Sequence, residues 1–313
     1  MKERIDVMTR IVIDYSPVHE LVTSLFAYSD KKNQLHDLGN KWRKQVEKHL
    51  PDSFDDRLDE LDLCDTISYL HLLILDSPAK HDITAFLEWL GGLGEGQIYE
   101  MLSPYLEDGI GMGLKAFRDR SLDILNTWQQ ACLISEEILN TLKISATRIE
   151  ELSQTFSYTD LIDEATNGVV LDLEEDLEFI LLIPAYHIKP LNRIDMMSDK
   201  LLVISYAADE QPPDKDTPTT QMLRMIKSLA DEKRLILLHI LADGPVTFTE
   251  LQQKTKLSKS NLHYHLSLLK TAGLLRMHLK KQGEREKFSA RPESFAALRD
   301  MLESYVFGLN KDQ

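Results

Sequence analysis

Cysteine is nearly missing from this 313-residue chain: there are two, Cys64 and Cys132. Two thiols cannot build the disulfide framework of a small secreted domain, and they fit a reducing compartment. No apolar run approaches the ~20 residues of a membrane-spanning helix. The opening residues, MKERIDVMTR, lack the apolar centre of a signal peptide. A soluble, cytoplasmic protein with no membrane partner is expected. Phosphate loops are missing as well. Gly91-Gly92-x-Gly94-x-Gly96 has no Lys-Ser/Thr after it and follows a helical pattern, and Gly109-x-Gly111-x-Gly113 follows no strand. Both read as loops between helices. His19-Glu20, His71, His81 and His187 are scattered, with neither an HExxH pair nor ligand spacing. No catalytic set, metal site or cofactor site can be assembled, and an enzyme is not expected. The acidic run Asp172, Glu174, Glu175, Asp176, Glu178 reads as an exposed turn.

Charge is plentiful and unevenly placed. The chain carries 36 Lys/Arg against 51 Asp/Glu, a net of −15. From Thr219 onward there are 16 Lys/Arg against 10 Asp/Glu, so the last third is basic and the rest strongly acidic. Such asymmetry suits a basic nucleic-acid-binding module on an acidic body. Between them lies DEQPPDKDTP (209–218), whose three prolines and five charges make a stiff polar linker. The expected domains are 1–208, mostly helical, and 219–313.

The most informative stretch is FTELQQKTKLSKSNLHYHLSLLKTAGLLRMHLKKQ (248–282). Thr247 and Glu250 form a capping box at the start of a two-turn helix with Phe248 and Leu251 inward. Lys256-Leu257-Ser258 is the turn, and Ser258 caps a second helix. There Leu262, Leu266 and Leu269 make one apolar stripe, while Ser260, His263, Tyr264 and Ser267 fall opposite, flanked by Lys259 and Lys270. His265, at the stripe's edge, is expected to be a packed, hydrogen-bonded histidine. Gly273 ends the helix in a left-handed conformation. The period then changes to two: Leu275, Met277 and Leu279 alternate with Arg276, His278 and Lys280. Gln282-Gly283 turns the chain, and Arg285, Lys287 and Ser289 continue on the way back. This is a helix-turn-helix followed by a basic hairpin, a winged helix. Its outer helix face (Ser258, Lys259, Ser260, His263, Tyr264, Ser267, Lys270) suits base edges and phosphates. The wing (Lys280, Lys281, Arg285, Lys287) suits the phosphate backbone of double-stranded DNA. A winged helix that docks protein and never touches DNA is the competing reading.

Met222 to Arg291 resembles the ArsR-type winged-helix family of bacterial repressors, through SLADEKRLILLHIL (228–241), TELQQKTKLSKSNLHYHLSLLKTAGLL (249–275) and GEREKFSARP (283–292). The resemblance implies a transcriptional regulator, a repressor working as a homodimer on a palindromic operator. It also implies a dimer interface from the first and last helices of the domain. Here those carry Leu223 and Ile226, and Phe295, Leu298, Met301, Leu302 and Tyr305. Metal-sensing members use a Cys-x-Cys pair in the motif's first helix or Asp/His ligands in the last. This chain has Glu250-Leu251-Gln252 and no His after His278, so those sites are absent.

The N-terminal part opens with an alternating strand, TRIVIDY (9–15), and a helix capped by Ser16-Pro17. Helices are predicted over 33–50, 56–76 with a break near Asp62, 82–90, 97–106, 114–133, 135–156 and 158–166. Strands are predicted at 168–173, 178–184 and 201–207. The whole is an α+β chain, mainly α with small β-sheets. The simplest arrangement joins the strands of the N-terminal domain into one small antiparallel sheet on a helical bundle. Residues 12–28, 182–190 and 201–210 resemble a domain that precedes ArsR-type winged helices in bacterial regulators. That implies architecture alone; residues 1–208 are expected to bind an effector of unknown identity or to supply extra dimer surface. Trp42, Trp89, Trp128, Phe86 and Tyr99 read as core.

Overall fold

The computed structural model describes residues 9–31, 35–105, 113–172, 177–210, 216–280 and 285–308. Two units emerge: residues 1–150 with 176–208, and residues 151–175 with 209–313.

The first unit begins with Arg10–Ile13 (β1) and Pro17–Ser29 (α1). Ser16 caps α1, its hydroxyl accepting from the His19 amide at 3.0 Å, with Pro17 at the first helical position. Gly39–Glu47 (α2), Phe54–Asp59 (α3), Leu63–Asp76 (α4), Ile83–Gly92 (α5) and Glu95–Leu102 (α6) follow, then Leu114–Ala131 (α7) and Glu136–Ser153 (α8). The break near Asp62 is real: α3 ends at Asp59, and Asp62 caps α4. Gly91 to Gly96 covers the end of α5, a two-residue loop and the start of α6, as an inter-helix connection should. Gly109 and Gly111 lie outside the described residues. The chain next runs through Tyr158–Thr166 (α9) and Val169–Leu171 (β2), both in the second unit. It returns as Phe179–Ala185 (β3), Arg193–Ser198 (β4) and Leu201–Ala207 (β5).

The sheet of the first unit corrects the antiparallel expectation. Its order is β1-β3-β5-β4; β1, β3 and β5 run parallel, and only β4 is antiparallel to β5. The physical reason stands in the strands themselves. All seven residues of β3 are buried, and six of seven in β5, so both are covered on both faces. Such strands read as continuous apolar runs and belong in the middle of a parallel sheet with helical crossovers. The helices supply the rest of the core, with Leu21, Leu25, Phe86, Phe117 and Trp128 buried alongside Leu181 and Val203.

The second unit contains Thr220–Leu229 (α10), Glu232–Leu241 (α11), Val246–Thr247 (β6), Phe248–Thr255 (α12), Lys259–Thr271 (α13), Leu275–Leu279 (β7), Lys287–Ala290 (β8) and Pro292–Phe307 (α14). Its sheet has the order β2-β7-β8-β6. This corrects two expectations. The strand at 168–173 does not join the N-terminal sheet but pairs parallel with β7, Val169 opposite Met277. The unit boundary is therefore not a single cut after residue 208, because 151–175 belongs with the winged helix.

That segment is held closely. Gly168 has φ +128°, and a Cβ there would sit 2.4 Å from the Leu275 carbonyl oxygen, so only glycine fits. The Met277 amide donates to the Gly168 carbonyl at 2.8 Å. Asp163 Oδ2 accepts from Arg276 Nε at 3.0 Å and from its Nη2 at 2.8 Å. Arg291 Nε lies 3.3 Å from Asp163 Oδ1, an ion pair out of hydrogen-bond alignment, and Arg291 Nη1 donates to Asn167. Asn167, itself left-handed at φ 57°, covers Gly273 at the end of α13. Residues 158–171 thus strap the back of the wing.

Candidate nucleic-acid interface

The helix-turn-helix forms as its local chemistry dictates. Thr247 Oγ1 accepts from the Glu250 amide at 3.3 Å, and the Glu250 carboxylate accepts from the Thr247 amide at 2.8 Å. The Thr247 hydroxyl also donates to the Glu250 carboxylate at 2.7 Å, and this bond, followed by the one from the Thr247 amide, holds the Glu250 carboxyl below its usual range. Lys256 takes a left-handed conformation at φ 56° and turns the chain. Ser258 caps α13, its hydroxyl accepting from the Asn261 amide at 3.3 Å. Gly273, at φ +65°, follows the last turn as a left-handed stop.

The two faces of α13 separate cleanly. Leu262, His265, Leu266 and Leu269 are buried; Lys259, Ser260, Asn261, His263 and Tyr264 are exposed, and Ser267 and Lys270 half-buried. Tyr264, at 56% exposure, offers a large aromatic surface to solvent. His265 is packed, with Nδ1 3.9 Å from Asp231 Oδ1 and no hydrogen bond to it. Burial lowers its imidazole pKa, and the Asp231 carboxylate offsets this only in part.

An open cleft of about 580 Å³ lies between α13 and the hairpin. Lys259, His263, Ser267, Lys270 and Arg285 line it, above Phe248, Leu266 and Phe288. Lys270 Nζ rests 3.2 Å from Met277 Sδ, and burial lowers its pKa, with Glu286 opposing. Arg285 is exposed, and Lys280 and Lys287 are half-buried. Lys281, with Gln282 and Gly283, lies outside the described residues. Arg276 is bound by the strap, and His278 Nε2 is 2.8 Å from Ser289 Oγ.

The predicted dimer residues divide. Leu223, Ile226, Phe295 and Tyr305 are 36–43% exposed, while Met301 and Leu302 are half-buried. Leu298 is buried within the unit and does not face outward. Val306 and Phe307, at the end of α14, are 60% and 70% exposed and lie outside the predicted set.

In the first unit the structure gathers residues that look scattered in sequence. Around the ends of β1 and β3, His19 Nδ1 lies 2.9 Å from His71 Nδ1, and His19 Nε2 is 3.1 Å from Asp14 Oδ2. Lys80 Nζ donates to both Asp14 oxygens at 2.9 Å. Burial lowers His19, and His71 well below the ordinary range. Glu20, fully buried, accepts from the Tyr186 and His187 amides at 3.0 Å and from the His187 ring. His187 Nε2 stands 3.9 Å from Cys132 Sγ. Burial pulls His187 down, but the bonds to Cys132 and Glu20 outweigh it and push it up to about 9. The available sequence signal was position: Asp14 and His187 directly follow the carboxyl ends of parallel strands, where α/β sheets collect polar groups. Among the described residues no cluster is placed to hold a metal ion, and no helix is long and apolar enough to cross a membrane.

Residues 231–277 match the family model described as bacterial regulatory protein, arsR family. No curated protein matches the chain. Among solved structures, reduced HlyU from Vibrio cholerae is 26% identical over 28% of this chain and 90% of its own, at a TM-score of 0.22. An ArsR family transcriptional regulator is 26% identical over 29% and 94%, at 0.25. A homodimeric winged helix-turn-helix DNA-binding domain from Mycobacterium bovis is 22% identical over 30% and 88%, at 0.22. These likenesses involve under a third of the chain, and at such TM-scores they add no structural argument. The family match spans α11, β6, α12, α13 and the first half of β7, so the second unit carries an ArsR-type winged helix-turn-helix.

Proposed function

We propose that the protein is a cytoplasmic, sequence-specific DNA-binding transcriptional regulator, a repressor, acting as a homodimer on a palindromic operator. The observation that carries this reading is the outer face of α13. Ser260, His263 and Tyr264 stand in solvent, with Lys259 and Lys270 beside them and Arg285 across the cleft. Polar side chains suited to base edges thus sit next to cations suited to phosphates. The exposed apolar residues of α10 and α14 support pairing of two copies, which would present two such helices about one helical turn apart. The first unit modulates the winged helices through an effector.

The test is selection of DNA fragments by the full-length protein at two salt concentrations. The expected result is an enriched palindrome with steep salt dependence. His263→Ala should relax preference at particular bases, whereas Lys280→Ala should weaken all DNA alike and flatten the salt slope by about 1. Retardation of no DNA at either salt, with a protein captured through the α13 cleft instead, would establish the docking reading.

A further inference from the structure

The first unit has a cavity of about 180 Å³ beside α2, away from the Asp14–His19–His71 cluster. His36, Asn40, Trp42, Arg43 and His187 are among its lining residues, and none of the described lining residues is acidic. Three of these side chains belong to buried residues: His36 is 8% exposed, Arg43 9% and His187 3%. Arg43 is unusual among them. Its guanidinium donates to the carbonyls of Ala27, Asp30 and Lys31 and to Asn40 Oδ1, its Nε has no partner, and no carboxylate among the described residues pairs with it. Those carbonyls lie at the C-terminal end of α1, worth about half an opposing charge. A full positive charge therefore sits on a buried side chain with no carboxylate bonded to it; the Asp30 carboxylate lies instead 3.4 Å from His36 Nε2. His187 adds no negative charge, since Glu20 is used up in holding its ring and two backbone amides. His36 Nδ1 is likewise buried without a partner. Trp42 supplies an apolar wall, its ring centroid 5.1 Å from that of His187. The volume lies below the ~300–1,000 Å³ of a drug-sized site, so a nucleotide does not fit.

We propose that this cavity is the effector site of the first unit and takes a small monocarboxylate, its anionic end at Arg43 and Asn40 and its body against Trp42. The effector role rests on the regulator reading above; the binding does not. The test is calorimetric titration of the full chain with acetate and benzoate, with benzamide as the neutral isostere and sulfate as competitor. At least one carboxylate should bind saturably, benzoate at least about tenfold more tightly than benzamide. Competition by sulfate at similar concentration would assign the site to oxyanions in general and overturn the carboxylate assignment. Asn40 is exposed, so Asn40→Asp should fold normally while placing a carboxylate against Arg43. It should weaken benzoate about tenfold or more. Failure of both carboxylates to saturate, equal binding of benzamide, or an unaffected Asn40→Asp variant each overturns the proposal. Operator affinity measured with and without benzoate separates the two claims. Binding without any change in operator affinity removes the effector role and leaves the site. Loss of the operator itself counts against the regulator reading alone.

Discussion

Asp163→Asn is the most revealing single change in the second unit. The carboxylate accepts two bonds from Arg276 at 2.8 and 3.0 Å and lies 3.3 Å from Arg291. All three side chains are at least three-quarters buried, at 14%, 24% and 10% exposure. At ~3 Å and an effective dielectric of ~20, each charge pair is worth about 5 kcal/mol before desolvation. Breaking a buried pair typically costs ~3–5 kcal/mol, because the orphaned charge stays buried. Here Arg276 keeps Glu293 at 3.1 Å and Arg291 keeps Glu164 at 3.2 Å, which softens the loss. A cost of about 2–3 kcal/mol follows. Two units make a single unfolding transition an unsafe readout, so native-state hydrogen exchange is the assay. The Met277 amide, bonded to Gly168, reports the strap directly. Its exchange should accelerate about 30- to 140-fold, 1.4 kcal/mol being a factor of ten, with the amides of β3 unchanged. Acceleration under about threefold would mean that the strap is held by backbone pairing and packing alone, and that the charges are decoration.

Gly168→Ala should destabilise the second unit at least as much, since φ +128° and a 2.4 Å approach to a carbonyl leave no room for a Cβ; faster hydrogen exchange at the Met277 amide checks this. Lys270→Met should keep or raise stability, because burial opposes the ammonium, while weakening DNA retardation; loss of stability would show that the ammonium is well paired. The first unit should lose stability between pH ~6.5 and ~9. His187 is raised to about 9, so its contribution is full below the unfolded value near 6.5 and fades as pH rises through the folded one. That is on the order of 3 kcal/mol. Glu20→Gln should reduce this slope, read from hydrogen exchange of the first unit's amides across the same pH range.

The winged helix was readable because each of its signals is local. The Thr247/Glu250 box, the Ser258 cap, the stop at Gly273 and the change from helical to alternating period all act within a few residues. Most helix spans of the first unit were readable for the same reason, down to the break at Asp62. What escaped was long-range. The partner of Val169 is Met277, more than a hundred residues away, and a short apolar strand looks the same beside either sheet. Parallel pairing of β1, β3 and β5 was misjudged although β3 and β5 lack alternation, the mark of strands covered on both faces. The buried network of Asp14, His19, Glu20, His71 and His187 was invisible because three separate elements contribute to it. Nothing in the hairpin itself announces the strap that binds Arg276 from behind.

The strap also sets the order in which the molecule can be finished during synthesis. Val169 leaves the ribosome 108 residues before Met277, the residue it faces across the β2–β7 pair. At ~5–20 residues per second, β2 waits roughly 5–20 seconds with its ladder groups unpaired. In that interval β3, β4 and β5 emerge and the first unit can close, because its last strand precedes the winged helix in the chain. Each nascent copy thus completes its acidic half first and holds an open strand edge until its own wing arrives. A wing from a neighbouring chain on the same message would fit that edge equally well, so exchange of β2 between copies is the misassembly this topology invites.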